Sequence, residues 1–367
     1  MAAHVRNNTN TDDWFPLFRG RKTACKSKAP KGIVIKKTIS VWPETMCSHN
    51  GKKRRLQCSS SEEEFSNKKR RLPDYPIVDG YHCLGKISSG SYGVVYKVQH
   101  KHTGDIWAMK KQFSCSGPSE IDILQSLGGK HPSIVGFKEV AEDASGGLYL
   151  VMEHMDFDLR GYMAEEVIPT PQVKMLMKQL IQGVYFLHQH RVVHRDLKPS
   201  NILVNRGGEL KICDFGLSMR IGEEWGPTVG TLWYMAPELL LGEKSYSCAV
   251  DMWAVGCVMA ELLLRKVLFR GKSKEDQLHE IYCILGHPDN KNDDATISSA
   301  KNMLSEAGFD LLKGLLTCDP TKRITSQSAL NHAWLADGLS PTQYMDKLSL
   351  LVGVGEYYIN SGASVVA

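Results

Sequence analysis

The feature that most restricts this chain is a switch in hydrophobic period near residue 151. From Tyr81 to about Val151, apolar residues alternate with polar ones and glycines punctuate the pattern. That period of two predicts an antiparallel sheet with one helix. Beyond it, periods near 3.6 dominate, as in Val173–His188, Ala249–Leu264 and Lys274–Leu285, and predict helices. A small β-rich lobe followed by a larger helical lobe, an α+β arrangement, implies a cleft between them.

The 367 residues suffice for one large core or two medium ones, and 42% hydrophobic with 23% charged residues is the balance of a soluble globular chain. The longest apolar candidate, Ala249 to Phe269, carries Asp251, Glu261, Arg265 and Lys266, which argues against a membrane span. The N-terminus has no apolar run after its first charges, so no secretory signal is expected. Ten cysteines are scattered without a CxxC pair, and they are expected to be free thiols in a reducing compartment.

Charge is unevenly distributed. Residues 1–74 hold 17 Lys/Arg against 7 Asp/Glu, while the rest of the chain is mildly acidic. Residues 1–75 lack sustained periodicity and are expected to form a disordered basic arm, since they offer too little apolar surface to offset chain ordering. Within it, Lys-Lys-Arg-Arg occurs at Lys52–Arg55 and again at Lys68–Arg71, with twelve residues between. Two basic clusters on a tether suit a nuclear import carrier with two acidic pockets, which places the chain in the nucleus, with the cytoplasm as a second compartment. The plainer alternative is a solvated charge run. Nucleic-acid binding is the weaker reading, because no aromatic residues are interleaved with the basic ones. Residues 76–336 form the expected folded domain, divided at 153/154 into its two lobes, and residues 337–367 are a tail of unread structure.

Three blocks carry the chemistry: His194-Arg195-Asp196-Leu197-Lys198-Pro199-Ser200-Asn201, then Asp214-Phe215-Gly216, then Ala236-Pro237-Glu238. In this order and spacing they resemble the catalytic loop, metal loop and activation-segment end of the protein kinase family, over about Tyr81 to Leu335. The resemblance implies a bilobal kinase fold and transfer of the ATP γ-phosphate to hydroxyls of a protein substrate. It further implies that Asp196 orients and deprotonates the substrate hydroxyl, Lys198 reaches the γ-phosphate, and Asn201 and Asp214 hold Mg²⁺ through hard oxygen ligands. Lys198 in this loop is similar to the serine/threonine subgroup. Trp107-Ala108-Met109-Lys110 resembles the strand whose lysine meets the α- and β-phosphates, with Glu120 as its ion-pair partner. Leu124, one turn beyond Glu120, would join Phe137, Phe215 and His194 in an apolar stack between the lobes.

The nucleotide loop is less regular. Residues Ser88, Ser89, Gly90, Ser91, Tyr92, Gly93 and Val94 match GxGxxGxV with Ser88 at the first glycine, 17 residues before Lys110. Ile87, Val95, Ala108 and Leu203 would complete the walls of the ATP pocket. Met152 would stand at its back, backbone groups of Glu153 and Met155 would bond adenine, and Asp158 would meet the ribose. Asp251 is expected to brace the catalytic loop, and Glu238 with Arg323 to form a buried pair tying the activation segment to the helical lobe.

Further stretches resemble the cyclin-dependent kinase branch, including its plant members, which brings cell-cycle roles and regulation by phosphorylation into view. There are departures. Only ten positions separate Lys110 from Glu120, where the family usually has almost twice that, so much of the surface a cyclin would grip is absent. Gly226 stands where relatives carry a phosphorylatable Thr; Glu223 or Glu224 could mimic its phosphate toward Arg195, or Thr228 could be phosphorylated instead. Gly230 and Met235 replace the Val and Arg that favour proline after the target residue, so weak proline direction is expected. The segment between Gly286 and Leu315 is short, which would remove the docking of a small accessory subunit. Ser91 and Tyr92 remain as candidates for inhibitory phosphorylation. A pseudokinase or scaffold is the main competing expectation, opposed by the intact set Lys110, Glu120, Asp196, Asn201 and Asp214.

Overall fold

A computed structural model of the chain describes residues 76–90, 93–112, 119–165, 167–223, 229–243, 247–286 and 300–336. The basic arm, Ser91 and Tyr92, Glu224, Gly226, Thr228 and the tail after Ala336 lie outside these residues.

The smaller lobe is a five-stranded sheet in the order β1-β2-β3-β5-β4: β1 (Tyr81–Gly90), β2 (Gly93–His100), β3 (Ile106–Lys111), β4 (Phe137–Glu142) and β5 (Leu148–Glu153). All four pairings are antiparallel. Register assigns the faces, because side chains alternate across a pleat and cross-strand partners share a side. Val95 pairs with Lys110, Lys97 with Ala108, and Ala108 with Met152, which sets Val95, Ala108, Lys110 and Met152 on one face. The other face gathers Met109, Tyr149 and Val151 with Val78, Tyr81 and Val98 into a separate small core. The one helix among the described residues of this lobe, α1 (Ser119–Leu127), is nine residues long.

A short strand and two helices open the larger lobe: β6 (Phe157–Asp158), α2 (Leu159–Glu165) and α3 (Thr170–Gln189). Along α3, Val173, Leu176, Met177, Leu180, Ile181, Val184 and Leu187 are buried, a stripe at helical spacing. Gly183 lies in that stripe, and a Cβ there would stand 2.9 Å from the Ile212 side chain and 3.0 Å from Ser133. Strands β7 (Val192–Val193), β8 (Ile202–Val204), β9 (Leu210–Ile212) and β10 (Met219–Arg220) carry the loops of the site; β10 pairs with β7, and β6, β8 and β9 form a three-stranded sheet.

The remaining helices are α4 (Pro237–Leu240), α5 (Ala249–Leu264), α6 (Lys274–Leu285), α7 (Glu306–Leu315), α8 (Ser326–Leu330) and α9 (Ala333–Ala336). Every residue of α5 from Val250 to Leu263 is buried, so the apolar run of the sequence is the central helix of the lobe, and no described helix is long and apolar enough to cross a membrane. Side-chain caps start three of the others: Ser273 Oγ accepts from the Asp276 amide, Ser305 Oγ from Gly308 and Thr325 Oγ1 from Ser328. Each cap satisfies an amide the helix itself cannot bond and stabilises it by about 1 kcal/mol.

Candidate active site

The cleft between the lobes encloses about 500 Å³, within the range of small-molecule sites. Ile87, Val95, Ala108, Val135, Met152 and Leu203 supply apolar walls, and Lys110, Lys198, Asn201 and Asp214 supply charge and polarity. Of the expected pocket residues, Ser88, Ser89, Gly93, Glu153, Met155 and Asp158 also line it. Sequence reasoning missed Val135, His154, Asp156, Phe157, Ser200 and Cys213 as lining residues. His154, Asp156, Phe157, Ser200 and Cys213 flank pocket residues already marked in the sequence, and only Val135 comes from a separate stretch.

Lys110, on the cleft face of β3, lies 2.7 Å from Glu120 Oε1 and 2.7 Å from Asp214 Oδ1. Burial alone would push its ammonium down the pH scale, but the two carboxylates outweigh burial and raise it. Asp214 is likewise pushed up by burial and held below the usual carboxylate range by Lys110. Gln112 Nε2 donates to Glu120 Oε2 at 3.0 Å, a second grip that no motif announced. The helix stack forms as expected: Leu124 and Phe215 are buried in one core with Phe137 packed against it, and His194 lies 5.3 Å from Phe215, ring to ring.

In the catalytic loop, Asp196 Oδ2 receives Lys198 Nζ at 2.7 Å and Asn201 Nδ2 at 3.1 Å. Its Oδ1 receives both the amide and the hydroxyl of Thr231, each at 2.8 Å. Lys198 also donates to the Thr231 hydroxyl at 2.8 Å. Thr231 thus belongs to the site through its bonds to Asp196 and Lys198. These contacts fix the Asp196 carboxylate. The His194 ring accepts the Asp196 amide at Nδ1 (3.3 Å), so its Nε2–H donates to Cys213 O at 3.0 Å and links the catalytic and metal loops.

Asp251 braces this loop as expected, its two oxygens accepting the amides of His194 and Arg195, each at 2.9 Å. His188 joins it at 3.0 Å, a partner unmarked by any motif. Arg323 and Glu238 form the expected buried pair, with NH1 and NH2 donating to separate carboxylate oxygens at 2.7 and 2.9 Å.

Two pocket residues carry structural duties beyond the expected ones. The Glu153 amide donates to Gly136 O at 2.9 Å. Asp158 Oδ1 accepts the Gly161 amide at the start of α2, at 2.6 Å. In the activation segment, Glu223 Oε2 accepts the Arg220 amide at 3.2 Å, while Arg195 Nε donates to Leu217 O at 2.6 Å.

The donor set fits Mg²⁺ and a polyphosphate. Asn201 turns its Nδ2 toward Asp196 O and Oδ2, so its Oδ1 is the end left for a hard cation, beside a carboxylate held ionised in Asp214. Lys110 and Lys198 add fixed positive charge on the same cleft.

Comparison with known proteins agrees with this geometry. The family model described as the protein kinase domain matches residues 81–335. The chain is 45% identical over 323 residues to a rice protein named cyclin-dependent kinase G-1, covering 76% of this chain and 46% of that protein. It is 44% identical over 301 residues to cyclin-dependent kinase G1 of Arabidopsis thaliana (70% and 49%), and 38% identical over 311 residues to human cyclin-dependent kinase 11B (73% and 39%). The chain therefore spans less than half the length of these relatives.

Proposed function

The chain belongs to the protein kinase family, in its cyclin-dependent-kinase-like branch, and on that premise we propose that it transfers the γ-phosphate of Mg·ATP to Ser/Thr hydroxyls of protein substrates. The observation that carries the proposal is the joining of Glu120, Lys110 and Asp214 in one ion-pair chain, on a cleft also lined by Lys198 and Asn201, which both bond Asp196. Phosphoryl transfer needs positioning and charge neutralisation more than covalent help, and these six residues supply both.

Asn201 and Asp214 would hold Mg²⁺, which would supply neutralisation of phosphate charge when bound. Lys110, fixed by two carboxylates, presents its ammonium to the α- and β-phosphates. Asp196 orients the substrate hydroxyl and accepts its proton, and Lys198 offers charge where the γ-phosphoryl group crosses. Apolar walls from Ile87 to Leu203 hold the adenine, with backbone groups of Glu153 and Met155 at its edge.

Nuclear residence is part of the same proposal, supported by the paired basic clusters at Lys52–Arg55 and Lys68–Arg71. Loss of nuclear accumulation when both clusters become alanine is the expected result; unchanged distribution would remove it. Activation proceeds either through carboxylates of the segment, Glu223 and Glu224, or through phosphorylation of Thr228. The short spacing between Lys110 and Glu120 supports action without a cyclin.

The test is phosphate transfer from labelled Mg·ATP by the purified chain alone, beside an Asp214→Asn control. Transfer that disappears in the control supports an enzyme that needs no partner. No transfer with intact nucleotide binding would indicate a missing partner or upstream kinase. Failure to bind nucleotide at all would defeat the proposal.

A further inference from the structure

Helix α1 carries Glu120 in its first turn and Ser126 next to its last residue, and it has no basic side chain of its own in the last turn. Arg220 of β10 supplies one. Its guanidinium donates to Ser126 Oγ at 3.0 Å, across 94 positions of sequence, and the same hydroxyl donates to Ile123 O at 3.0 Å. The strand that carries Arg220 is itself fixed. Met219 and Arg220 pair with Val193 and Val192 of β7, and the Ile221 amide donates to Arg191 O at 2.7 Å. Strand β7 runs directly into His194 and the catalytic loop.

Nine residues are too few for a helix to hold itself in water, so α1 depends on what it touches. A guanidinium at its C-terminal end both makes a charge-assisted hydrogen bond and complements the helix dipole. At the other end, Lys110 and Gln112 each grip one oxygen of Glu120. The helix is therefore held at both ends by its own chain.

We propose that Arg220 and Ser126 are positioning residues that keep Glu120 against Lys110 from within the chain, so that this ion pair forms without a second protein. The inference rests on the kinase reading above and assigns the regulation of that same site. Placement of the ATP phosphates then depends on the activation segment through Arg220 as well as on the metal loop.

The test uses the purified full chain with Arg220→Ala, Ser126→Ala, the double variant and Arg220→Lys. Phosphate transfer to myelin basic protein is followed as a function of ATP, and hydrogen exchange of the α1 and α5 amides is followed in parallel. Each alanine variant is expected to lower kcat/KM for ATP about tenfold, the double variant no further than the worse single one. Arg220→Lys recovers part of the loss, and α1 amides exchange faster while those of α5 do not. Wild-type kcat/KM in the single variants, multiplied effects in the double, or equal acceleration in α5 would overturn the proposal. If the wild-type chain transfers no phosphate, exchange alone decides. Faster α1 exchange in the variants then supports the tie and separates it from the phosphotransfer reading, whose failure would lie in a missing partner or upstream kinase; unchanged exchange sinks the tie.

Discussion

The amide of Arg195 lies 2.9 Å from Asp251 Oδ1, and Arg195 itself sits at φ 66°. A side chain other than glycine in this left-handed region costs energy that the surroundings must offset. Asp251 offsets it from α5, with both oxygens on successive amides of the loop and His188 steadying the carboxylate. Burial alone would raise the Asp251 carboxyl, but the bond from His188 and the neighbouring donors hold it down. The catalytic loop thus keeps its shape because a helix remote in sequence accepts its hydrogen bonds.

Asp251→Ala leaves two buried amides without acceptors. Each orphaned group costs about 1–3 kcal/mol, so urea denaturation should show a loss of several kcal/mol. Asp251→Asn presents an amide NH₂ to one of the donors and should reduce kcat at least about tenfold with a smaller stability loss. Wild-type kcat in both variants would show that the brace is dispensable.

Glu238 and Arg323 are fully buried and bonded through both guanidinium nitrogens. Removing Glu238 alone strands a cation in the core and should destabilise the chain by about 3–5 kcal/mol. Replacing both residues by apolar ones of similar volume should cost less than Glu238→Ala. Denaturant unfolding of the three variants checks the order, and a double variant worse than the single would contradict it.

The ion-pair chain at Lys110 sets a pH dependence with two signs. Asp214 has its carboxyl held low, so its contribution is present above the ordinary carboxyl range near about pH 4 and is lost as pH falls through the depressed value. Lys110 is raised, so its contribution is complete below about pH 10 and is lost as pH climbs through the raised value. Glu261, raised by burial against its bond with Tyr234, acts in the opposite sense at acid pH. Asp214→Asn isolates the first effect: its stability should fall less steeply than wild type between about pH 5 and 2. Identical acid limbs would refute the assignment.

Gly230 has φ 117°, and a Cβ there would meet Arg195 O at 2.7 Å. Gly230→Ala should therefore disturb the Thr231–Asp196 contacts beside it and lower kcat by about tenfold or more. With Gly230 and the buried Met235 in this segment, a degenerate peptide library should show only weak selection for proline after the target residue. A strict requirement for that proline would contradict the expectation.

Much of this protein was legible in its residues. The period of two fixed the small lobe, and the periods near 3.6 marked α5 and α6 with their observed bounds and α3 to within three residues at its start, because buried faces must repeat with the backbone. Lys110, Asp196, Asn201 and Asp214 were legible through the resemblance of their short motifs to those of protein kinases. What the sequence could not decide was which distant groups hold them. Gln112 on Glu120, Thr231 on Asp196, His188 on Asp251 and Arg220 on Ser126 are ordinary residue types with no motif. Their roles arise only when strands and helices far apart in sequence pack together, since a hydrogen bond depends on separation in space.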